Sequence, residues 1–441
     1  MQLKDSYDYV VLGAGLSGLS TGHALQSRGL DFIVLEATQR AGGVIESSFT
    51  DGFVVESGAN SMILTPTVAQ LCEDLGISNQ IINAREESKV RQILWGDQLH
   101  TLKASPLTLL TTQILSFTAK LRILKEPFIK SSSPDGETVL DFFTRRFGSQ
   151  VAQRLAGAIV SGIYAGDPSK LEMASVFPRF VALEIEYGSL LKGLKKSPAA
   201  PRKIVSFKDG METLPSTLSR KLQDHICYEY QISSIYKNAE SWIIKKKNGD
   251  FIRAGHIIST LPSYALESIM KTASFPKLEI TYNPMWTIQV KVNRSELESK
   301  TIGFGFLASM YERKDFIGTL YNGNTFTTGL TGKYALITFF VRPDHCEHKS
   351  ITDVLERLCI PYLRKWTGIE GPIELVHSKK WPHAIPQKEV GHRKLIEKIQ
   401  SWETENPNFS TAGNFIYGVS LGDCVEAHQK LVSSITSNQP S

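Results

Sequence analysis

Asp8-Tyr-Val-Val-Leu-Gly-Ala-Gly-Leu-Ser-Gly18 is the stretch of sequence that decides the fold of this chain. Its first half is apolar and predicts a short β-strand, and its glycines, Gly13, Gly15 and Gly18, lead into a helical segment at 19–27. A second apolar strand, Phe32–Leu35, follows and ends on Glu36. This βαβ pattern predicts a dinucleotide site, with the pyrophosphate at the helix N-terminus and Glu36 on the ribose hydroxyls.

The residues after this unit indicate which dinucleotide is bound. Arg40-Ala-Gly-Gly43 comes directly after Glu36, and Gly52-Phe53 and Glu56-Ser-Gly-Ala-Asn60 follow. NAD-dependent dehydrogenases do not carry this string of an acid, an arginine and paired glycines. The string resembles the FAD-binding start of the flavin amine oxidase superfamily, and it implies FAD as the cofactor.

Length and composition describe a globular protein of two or three domains. The chain has 441 residues, of which 41% are hydrophobic and 21% are charged. No window of about 18 residues is continuously apolar, and the start of the chain lacks the pattern of a signal or transit peptide. We therefore expect a bacterial-type cytoplasmic protein or a mature organelle form.

Cysteine usage and net charge exclude several classes of site. The five cysteines are odd in number and none forms a C-x-x-C pair, so we expect no disulfide framework, no metal site and a reducing compartment. The net charge of +5 is modest, and we expect no nucleic-acid partner.

The basic charge is concentrated in two stretches. Residues 91–130 contain six Lys and Arg against two acids, and residues 187–203 contain five bases and no acid. The first stretch also has apolar residues at helical spacing: Leu107, Leu110, Ile114, Phe117, Leu121, Leu124 and Phe128. Two interpretations remain open: an ordinary helix that faces the core, or a helix that rests on an anionic membrane surface.

The order of predicted elements indicates a discontinuous cofactor domain. Loops are expected at 131–136 and at 197–201, which is a candidate domain boundary, with mostly helix between them. Beyond 201 the pattern changes to short strands, including a hairpin at Asn248-Gly249. The glycine-rich 413–423 then precedes a final helix, so the two chain ends would together build the FAD domain around an inserted substrate region.

Several segments resemble the protoporphyrinogen IX oxidase family more specifically. The matching strings are Ser161-Gly-Ile-Tyr-Ala-Gly-Asp-Pro-Ser-Lys-Leu-Glu-Met173, Phe207-Lys-Asp-Gly-Met-Glu-Thr-Leu-Pro215, Ser259-Thr-Leu-Pro262, Trp381-Pro-His-Ala-Ile-Pro386 with Gly391-His392, and Gly418-Val-Ser-Leu-Gly-Asp-Cys424. They span the chain from residue 8 to about 430. The chain departs from the family pattern at three positions: Val44, Ala59 and Glu172.

The resemblance implies an α/β (α+β) fold: a Rossmann-like FAD-binding domain, an inserted β-sheet substrate domain and a helical membrane-associated domain. The FAD domain would comprise 1–88, 204–270 and 405–441. The helical domain would comprise 89–203, and the substrate domain 271–404.

The implied activity is the oxidation of protoporphyrinogen IX to protoporphyrin IX, a late step of haem synthesis, with electrons passing through FAD to molecular oxygen. The implied partners are the porphyrinogen, oxygen and a membrane surface. Hand-over of the product to a ferrochelatase and a homodimer are further options. The implied location is the cytoplasm, peripheral to the inner membrane.

The resemblance also assigns the site residues. Five would bind the substrate: Asn60, Arg91, Leu307, Leu320 and Phe340, with Phe339 replacing Phe340 if the register slips. The cofactor would be bound by Gly13, Ala14, Gly15, Leu16, Ser17, Gly18, Glu36, Ala37, Arg40, Gly42, Gly43, Gly58, Ala59, Asn60, Ser61, Ile232, Trp381, Gly413, Asn414, Val419, Ser420 and Leu421. No catalytic side chain is assigned because the flavin performs the chemistry. His383 and His392 are expected to be structural.

Three other functions remain open. An amine oxidase would carry a lysine behind the flavin. We place Val290 at that position, with the neighbouring Lys291 on the other face of the strand. A coproporphyrinogen III oxidase would perform the same bond changes on a ring with four propionates and would need more basic anchors than Arg91. A flavin-fold protein without enzymatic activity is the third option.

Overall fold

The structure is a computed structural model, and its described residues are 3–102, 111–130, 132–198, 202–238, 241–270, 274–347 and 350–437. Within them the predicted βαβ unit is confirmed. Strand Ser6–Leu12, helix Leu16–Gln26 and strand Phe32–Leu35 follow one another, and the two strands pair in parallel.

A seven-stranded sheet forms the centre of the first structural unit. Six strands lie side by side in the order Ile226–Cys227, Phe32–Leu35, Ser6–Leu12, Phe251–Ser259, Ser241–Lys246 and Ile232–Asn238. The seventh strand, Phe409–Thr411, pairs in parallel with the last three residues of Phe251–Ser259. The second half of Ser6–Leu12, from Tyr9 to Leu12, is buried on both faces and is continuously apolar, whereas Ser6 and Asp8 are exposed.

Helices cover both faces of this sheet. Val11 packs on one face against helix Leu421–Ser437 through Val425, while Val10 packs on the other face in the cluster that contains Trp402 of helix His392–Glu405. The two ends of the chain therefore build one layered α/β unit.

An eight-stranded sheet forms the second unit. Seven strands lie in the order Glu374–Pro386, Tyr282–Asn293, Tyr334–Val341, Phe316–Leu320, Gly305–Ala308, Arg91–Trp95 and Gln98–Leu102, and Leu330–Thr331 pairs with Tyr334–Val341. One face packs on helix Ile360–Thr367 and the segments before it through Ile288, Phe339 and Leu363. The opposite face turns toward helix Gly157–Tyr164, which contacts Leu307, and toward the first unit, where Thr287 bonds Ser57.

Short pieces connect the two large sheets. The strands Met62–Leu64, Lys203–Phe207 and Ile81–Asn83 form a small sheet, and Ser47–Thr50 pairs with Phe53–Glu56 as a hairpin. The further α-helices in the described part of the chain are Pro66–Asp74, Phe117–Leu124, Val139–Phe147, Gly157–Tyr164, Met173–Val176, Pro178–Tyr187, Leu190–Lys196, Thr213–Lys221, Ser263–Ile269, Arg294–Lys300, Asn322–Thr325, Ile351–Val354 and Asn414–Tyr417.

Residues 111–198 form a helical segment around a buried charge network. Arg145 bonds both Glu137 and Glu184, and Arg146 bonds Glu184 and lies 3.2 Å from Glu126. Arg146 and the three glutamates are almost fully buried, and each carboxylate faces a guanidinium. The network fixes the packing of four chain segments, and removing one partner would leave a buried charge uncompensated.

The apolar stripe predicted at 107–128 is not one continuous helix. Within the described residues 112–128 the α-helix is Phe117–Leu124, where the Ser116 hydroxyl accepts a hydrogen bond from the Ala119 N–H at 3.3 Å. Pro127 then lies in a short 3₁₀ turn, Glu126–Phe128, because proline cannot continue an α-helix. Leu107 and Leu110 lie outside the described residues.

The part of the stripe from Phe117 to Phe128 does not face the core. The interpretation as an ordinary helix that faces the core is therefore wrong for these residues. Phe117 is 74% exposed and Phe128 is 82% exposed, and Leu121 and Leu124 are exposed as well. Among the stripe residues that the structure describes, only Ile114 is buried as a core residue would be.

The predicted mixed α/β architecture is confirmed, but the structure distributes two segments differently from the assigned ranges. Arg91–Trp95 and Gln98–Leu102, assigned to the helical domain, are strands of the eight-stranded sheet. Helix His392–Glu405, assigned to the substrate domain, packs on the first sheet through Trp402 and Ile399. Backbone pairing and burial, rather than position along the chain, decide these memberships.

Candidate active site

The glycine-rich turn after the first strand forms a cradle for an anion. Gly13 has φ +92°, and a Cβ on Gly18 would come 1.8 Å from the Gly13 carbonyl oxygen, so these two positions require glycine. A Cβ on Gly15 would meet nothing within 4 Å, so this glycine borders open space at the start of helix Leu16–Gln26. A pyrophosphate fits here, since the first amides of a helix are unpaired.

Glu36 lies at the end of the neighbouring strand. Its carboxylate accepts hydrogen bonds from the Ala14 N–H at 2.8 Å and from the Thr38 N–H at 3.0 Å. The Tyr230 N–H donates to the Glu36 carbonyl at 2.9 Å and thereby brings the start of strand Ile232–Asn238 close. Glu36 and Ile232 therefore lie on the same side of the cradle, with Ala37 exposed beside them.

The loop with Arg40 closes over this turn. The Gly42 N–H donates to the Ala14 carbonyl at 2.8 Å, and a Cβ on Gly43 would lie 3.2 Å from the Gly15 Cα. The Arg40 guanidinium donates to the carbonyls of Ala41, Ile45 and Gly43 and lies 3.3 Å from Glu212. Arg40 thus holds the shape of the loop through carbonyls of its own segment.

A second glycine-rich turn meets the first one. Gly418 has φ +112° and precedes Val419 and Ser420, after which helix Leu421–Ser437 begins. The Cys424 thiol donates to the Gly418 carbonyl at 3.1 Å and lies beside the Ser17 hydroxyl. The N-termini of the first and last helices therefore converge on one place.

Gly413 and Asn414 lie just before this turn, where Gly413 caps the short helix Asn414–Tyr417 that follows strand Phe409–Thr411. The Oδ1 atom of Asn414 is buried and has no hydrogen-bond partner within the described ranges. A buried amide oxygen without a partner fits a site that a polar ligand completes. The cradle, the loop and this oxygen together fit a bound dinucleotide.

Ser57 connects the cofactor cradle to the eight-stranded sheet. Its carbonyl accepts hydrogen bonds from the Trp381 indole at 2.7 Å and from the Thr287 hydroxyl at 3.1 Å, and its hydroxyl lies 3.1 Å from the His377 ring. Burial lowers the pKa of His377. Gly58, Ala59, Asn60 and Ser61 follow directly, so these contacts fix where that segment crosses to the sheet.

The β register places the assigned substrate residues on one face of the eight-stranded sheet. Leu307 pairs with Gly318, which pairs with Phe340, and paired residues share a face. Leu320 pairs with Gly305, two residues from Leu307, and Arg91 lies two residues before Ile93, the partner of Leu307. The four side chains, Arg91, Leu307, Leu320 and Phe340, therefore share that face.

Phe339 lies on the opposite face of the sheet. It is fully buried in the cluster around Ile288 and Phe316, whereas Phe340 is only partly buried. The register therefore selects Phe340 over Phe339 as the phenylalanine on the face with Leu307.

Asn60 reaches this same face through two polar residues that the sequence did not single out. Its Oδ1 accepts from the Asn322 Nδ2 at 3.1 Å, and the Thr338 hydroxyl donates to the Asn322 Oδ1 at 2.7 Å. Thr338 pairs with Leu320. The network links Asn60 to the substrate sheet, and only long-range pairing could have revealed it.

Arg91 stands at the edge of this face without a carboxylate partner in the described part of the chain. Its guanidinium lies 4.1 Å from the Phe304 ring centre and donates to the carbonyls of Ser88 and Val90. Burial lowers the pKa of Arg91. A half-buried arginine in this state can bind a carboxylate from outside the chain.

Helix Gly157–Tyr164 covers part of the face. A Cβ on Gly162 would come within 2.8 Å of Leu307, so the helix and the sheet are in direct contact there. Arg342, which the sequence did not single out, fixes the end of this helix: it donates to Ser161 Oγ at 2.7 Å and to the Ala165 carbonyl at 3.2 Å. Burial lowers the pKa of Arg342 to about 10.

Glu172, one of the positions where the chain departs from the family pattern, has a structural role that the sequence did not reveal. Its carboxylate accepts hydrogen bonds from the N–H groups of Gly391 at 3.3 Å and Arg393 at 2.9 Å. It therefore satisfies the first amides of helix His392–Glu405 and ties the helical segment to that helix.

His383 and His392, which the sequence analysis regarded as structural, have different surroundings. His383 lies 4.7 Å from the ring centre of Tyr264. His392 is buried at a helix start, and burial lowers its pKa to about 4. Within the described ranges there is no cluster of three or more His, Cys, Asp or Glu side chains that could hold a metal ion.

The position assigned to the amine oxidase lysine is corrected. Val290 is fully buried on the sheet face that turns away from the cofactor cradle. The other face of the strand carries Thr287, whose hydroxyl bonds Ser57, and Lys291. Lys291 lies four residues or about 13 Å further along the strand, where it pairs with Asp51 at 2.9 Å and Glu374 at 3.2 Å.

Comparisons with known proteins agree with this geometry. The family model for flavin containing amine oxidoreductases matches residues 16–427. Protoporphyrinogen oxidase 2 of Arabidopsis thaliana is 30% identical over 97% of this chain and 93% of its own length. Coproporphyrinogen III oxidase of Bacillus subtilis (strain 168) is 24% identical over 96% of this chain and 97% of its own.

Among solved structures, a protein from Exiguobacterium sp. 255-15, provisionally described as a protoporphyrinogen oxidase, aligns with a TM-score of 0.82. It shares 22% identity, and the alignment covers 100% of both chains. This likeness shows the fold.

Proposed function

The chain belongs to the flavin containing amine oxidoreductase family and is an FAD-dependent oxidoreductase, and we propose that it oxidises protoporphyrinogen IX to protoporphyrin IX. The observation that carries the proposal is the shared face of Arg91, Leu307, Leu320 and Phe340 beside Asn60. A large apolar ring with two propionates needs a broad apolar surface and few polar anchors. The relatives named as protoporphyrinogen oxidases support the same assignment.

The residues of the site divide the work of this reaction. FAD, when bound, would supply the acceptor for a hydride from the substrate carbon. Arg91 binds a propionate carboxylate with two parallel hydrogen bonds, while Leu307, Leu320 and Phe340 exclude water and orient the ring. The carbonyl of Ser57 holds Trp381 in place between the two units. A pyrrole proton leaves to water, so no side-chain base is required.

Coproporphyrinogen III is the second candidate substrate because relatives from Bacillus subtilis and Staphylococcus aureus carry that name. Its four propionates would call for further cations on the same face. The register also places Lys291 and Lys379 on this face, but both are already paired with carboxylates: Lys291 with Asp51 and Glu374, and Lys379 with Glu46. Arg91 has no carboxylate partner in the described part of the chain. The two-propionate ring therefore fits better.

A parallel assay with both porphyrinogens tests the proposal. We expect purified enzyme loaded with FAD to generate porphyrin fluorescence faster from protoporphyrinogen IX than from coproporphyrinogen III, with oxygen as the acceptor. Faster turnover of coproporphyrinogen III would make that ring the substrate in place of protoporphyrinogen IX. Inertness toward both, with turnover of an amine, would reject porphyrinogen oxidation.

We further propose that the enzyme works on the surface of a membrane, in the cytoplasm at the inner membrane. In the described residues, no helix is both long and apolar enough to span a bilayer. The support comes from the exposed side chains Phe117, Leu121, Leu124 and Phe128, here called the apolar patch, with Lys120 and Lys125 beside them. Apolar side chains flanked by lysines suit an anionic surface. Its apolar product could pass from there to a ferrochelatase.

A further inference from the structure

Lys388 is a buried lysine beside the second glycine-rich turn. Only 7% of the residue is exposed, and its Nζ donates to the Ile416 carbonyl at 3.3 Å. A Cβ at position 418 would lie 4.0 Å from that nitrogen, so the ammonium group borders Gly418 directly. The Cys424 thiol donates to the carbonyl of the same glycine. Lys388 is thus held next to Val419 and Ser420, which the family resemblance assigns to the flavin.

No carboxylate lies within ion-pair distance of Lys388 among the described residues. Glu172, whose N–H bonds the Lys388 carbonyl, accepts hydrogen bonds on its carboxylate from Gly391, Arg393 and Ser175 instead. A buried cation without an anion is unfavourable, and burial accordingly lowers the pKa of Lys388. Such a group is expected where a ligand brings the missing negative charge.

The backbone around Lys388 is fixed on both sides. The Glu172 N–H donates to the Lys388 carbonyl at 2.8 Å, and the Gln387 N–H donates to the Thr281 carbonyl at 2.8 Å. The Gln387 side chain adds a bond to the Tyr164 carbonyl at 2.8 Å. The backbone that carries the Lys388 side chain is therefore fixed, and the Ile416 carbonyl holds its ammonium group at the turn.

The chemistry proposed for the site would bring negative charge to the flavin, which the resemblance places at Val419 and Ser420. A hydride would deliver one proton and two electrons to bound FAD, and the flavin ring would gain one negative charge. The amides at the start of helix Leu421–Ser437 point toward the same turn. Lys388 would add a full positive charge to these partial charges.

We propose that the buried ammonium group of Lys388 stabilises the negative charge of the reduced flavin. The inference deepens the proposed function, because it rests on the flavin chemistry of the same site. It does not depend on which substrate supplies the hydride.

The experiment measures the two-electron midpoint potential of the bound FAD, by titration against reference dyes without any porphyrinogen. We expect Lys388→Met to make flavin reduction about tenfold less favourable, a shift of ~30 mV to more negative potential. Lys388→Arg should remain near the original value. Lys394→Met is the matched control, because Lys394 is an exposed lysine of the same segment, paired with Asp135 at 3.2 Å.

Two results would overturn the inference. The first is a Lys388→Met protein that is folded and yellow with an unchanged potential. The second is a loss of affinity for both FAD and ADP with no change in potential, which would place the ammonium at the pyrophosphate. A shifted potential together with inertness toward both porphyrinogens would leave the role of Lys388 intact and reject only the proposed substrate.

Discussion

The guanidinium group of Arg91 lies against the ring of Phe304, at 4.1 Å from the ring centre. Phe304 precedes strand Gly305–Ala308, which pairs with the strand that Arg91 begins. The aromatic ring holds the guanidinium at the edge of the sheet face that carries Leu307. The guanidinium donates its hydrogen bonds to backbone carbonyls rather than to a carboxylate. Arg91 is therefore oriented without being neutralised.

Replacing this arginine should weaken substrate binding more than it slows the chemistry. We expect Arg91→Ala to lose a charge-assisted contact of about 1.5–3 kcal/mol, which corresponds to about a 10- to 150-fold loss in kcat/KM. Most of the loss should appear as a higher KM for protoporphyrinogen IX. Arg91→Lys keeps the charge but lacks the planar guanidinium, so its KM should lie between those of the unchanged protein and Arg91→Ala. An unchanged KM in Arg91→Ala would remove this residue from the site.

The two glycines of the first turn should respond differently to alanine. Gly15 has φ −68° and ψ 176°, and its Cβ would meet nothing within 4 Å, so Gly15→Ala should fold with unchanged stability. The added methyl group would nevertheless occupy space that the pyrophosphate needs, and we expect at least about a tenfold loss of FAD affinity, or about 1.4 kcal/mol. Titration of the apoprotein with FAD measures this loss.

Gly18→Ala provides the contrast, because its Cβ would lie 1.8 Å from a backbone oxygen. This variant should lose stability as well as cofactor, by more than about 1 kcal/mol, as measured by denaturant unfolding of the apoprotein. If Gly15→Ala bound FAD normally, the cofactor cradle would have to be placed elsewhere.

The apolar patch gives a prediction for membrane binding. Each large apolar side chain that enters the lipid interface contributes about 1.5–3 kcal/mol. We therefore expect the double variant Phe117→Ser, Leu121→Ser to bind anionic vesicles at least about tenfold more weakly than the unchanged protein. Co-sedimentation with vesicles of phosphatidylglycerol and phosphatidylcholine measures the difference.

Phe49→Ser is the matched control for the patch. Phe49 is 77% exposed, but it lies in the hairpin at Ser47–Thr50, away from residues 117–128 in the chain and in the fold. Equal losses in the control and in the double variant would indicate nonspecific adsorption, and full retention of binding by the double variant would contradict the proposal.

Strand periodicity explains which parts of the site the sequence could predict. Leu307, Leu320 and Phe340 come from three strands, and their common face follows from the alternation of side chains once the register is known. The register itself depends on pairings across the chain, so the sequence could not separate Phe339 from Phe340 or place Val290 on the correct side. The sequence did not single out Lys388 and Arg342 for the same reason, since their burial depends on contacts with residues distant in the chain.

The apolar stripe shows a different limit. Its spacing is the same for a helix that faces a core and for one that faces a membrane, because periodicity describes only which residues share a side. Pro127 was a local signal that the helix ends there. Whether other residues cover Phe117 and Leu121 depends on tertiary packing, which no local pattern contains, and the structure leaves both exposed.

Glu56 gives a prediction for the pH dependence of stability. Its carboxylate is buried beside Ser47 Oγ at 2.6 Å and the Met211 N–H at 2.8 Å, and burial raises its pKa to about 7. A carboxyl group whose pKa is higher in the folded state binds its proton more tightly there. Its contribution to stability is therefore complete below the pKa of the unfolded chain, about 4.3, and is lost as the pH rises through about 7.

Glu56→Gln should remove this dependence, because glutamine keeps the shape and the two contacts but does not titrate. We expect the free energy of unfolding of the variant, relative to the unchanged protein, to improve by about 3 kcal/mol between pH 4.5 and pH 8. Denaturant unfolding of both apoproteins across this range measures the difference. Glu46→Gln is the control, since Glu46 lies nearby but is partly exposed and paired with Lys379 at 3.3 Å. A difference between Glu56→Gln and the unchanged protein that stays constant with pH would show that Glu56 remains ionised in the folded state, with the bonds from Ser47 and Met211 offsetting its burial.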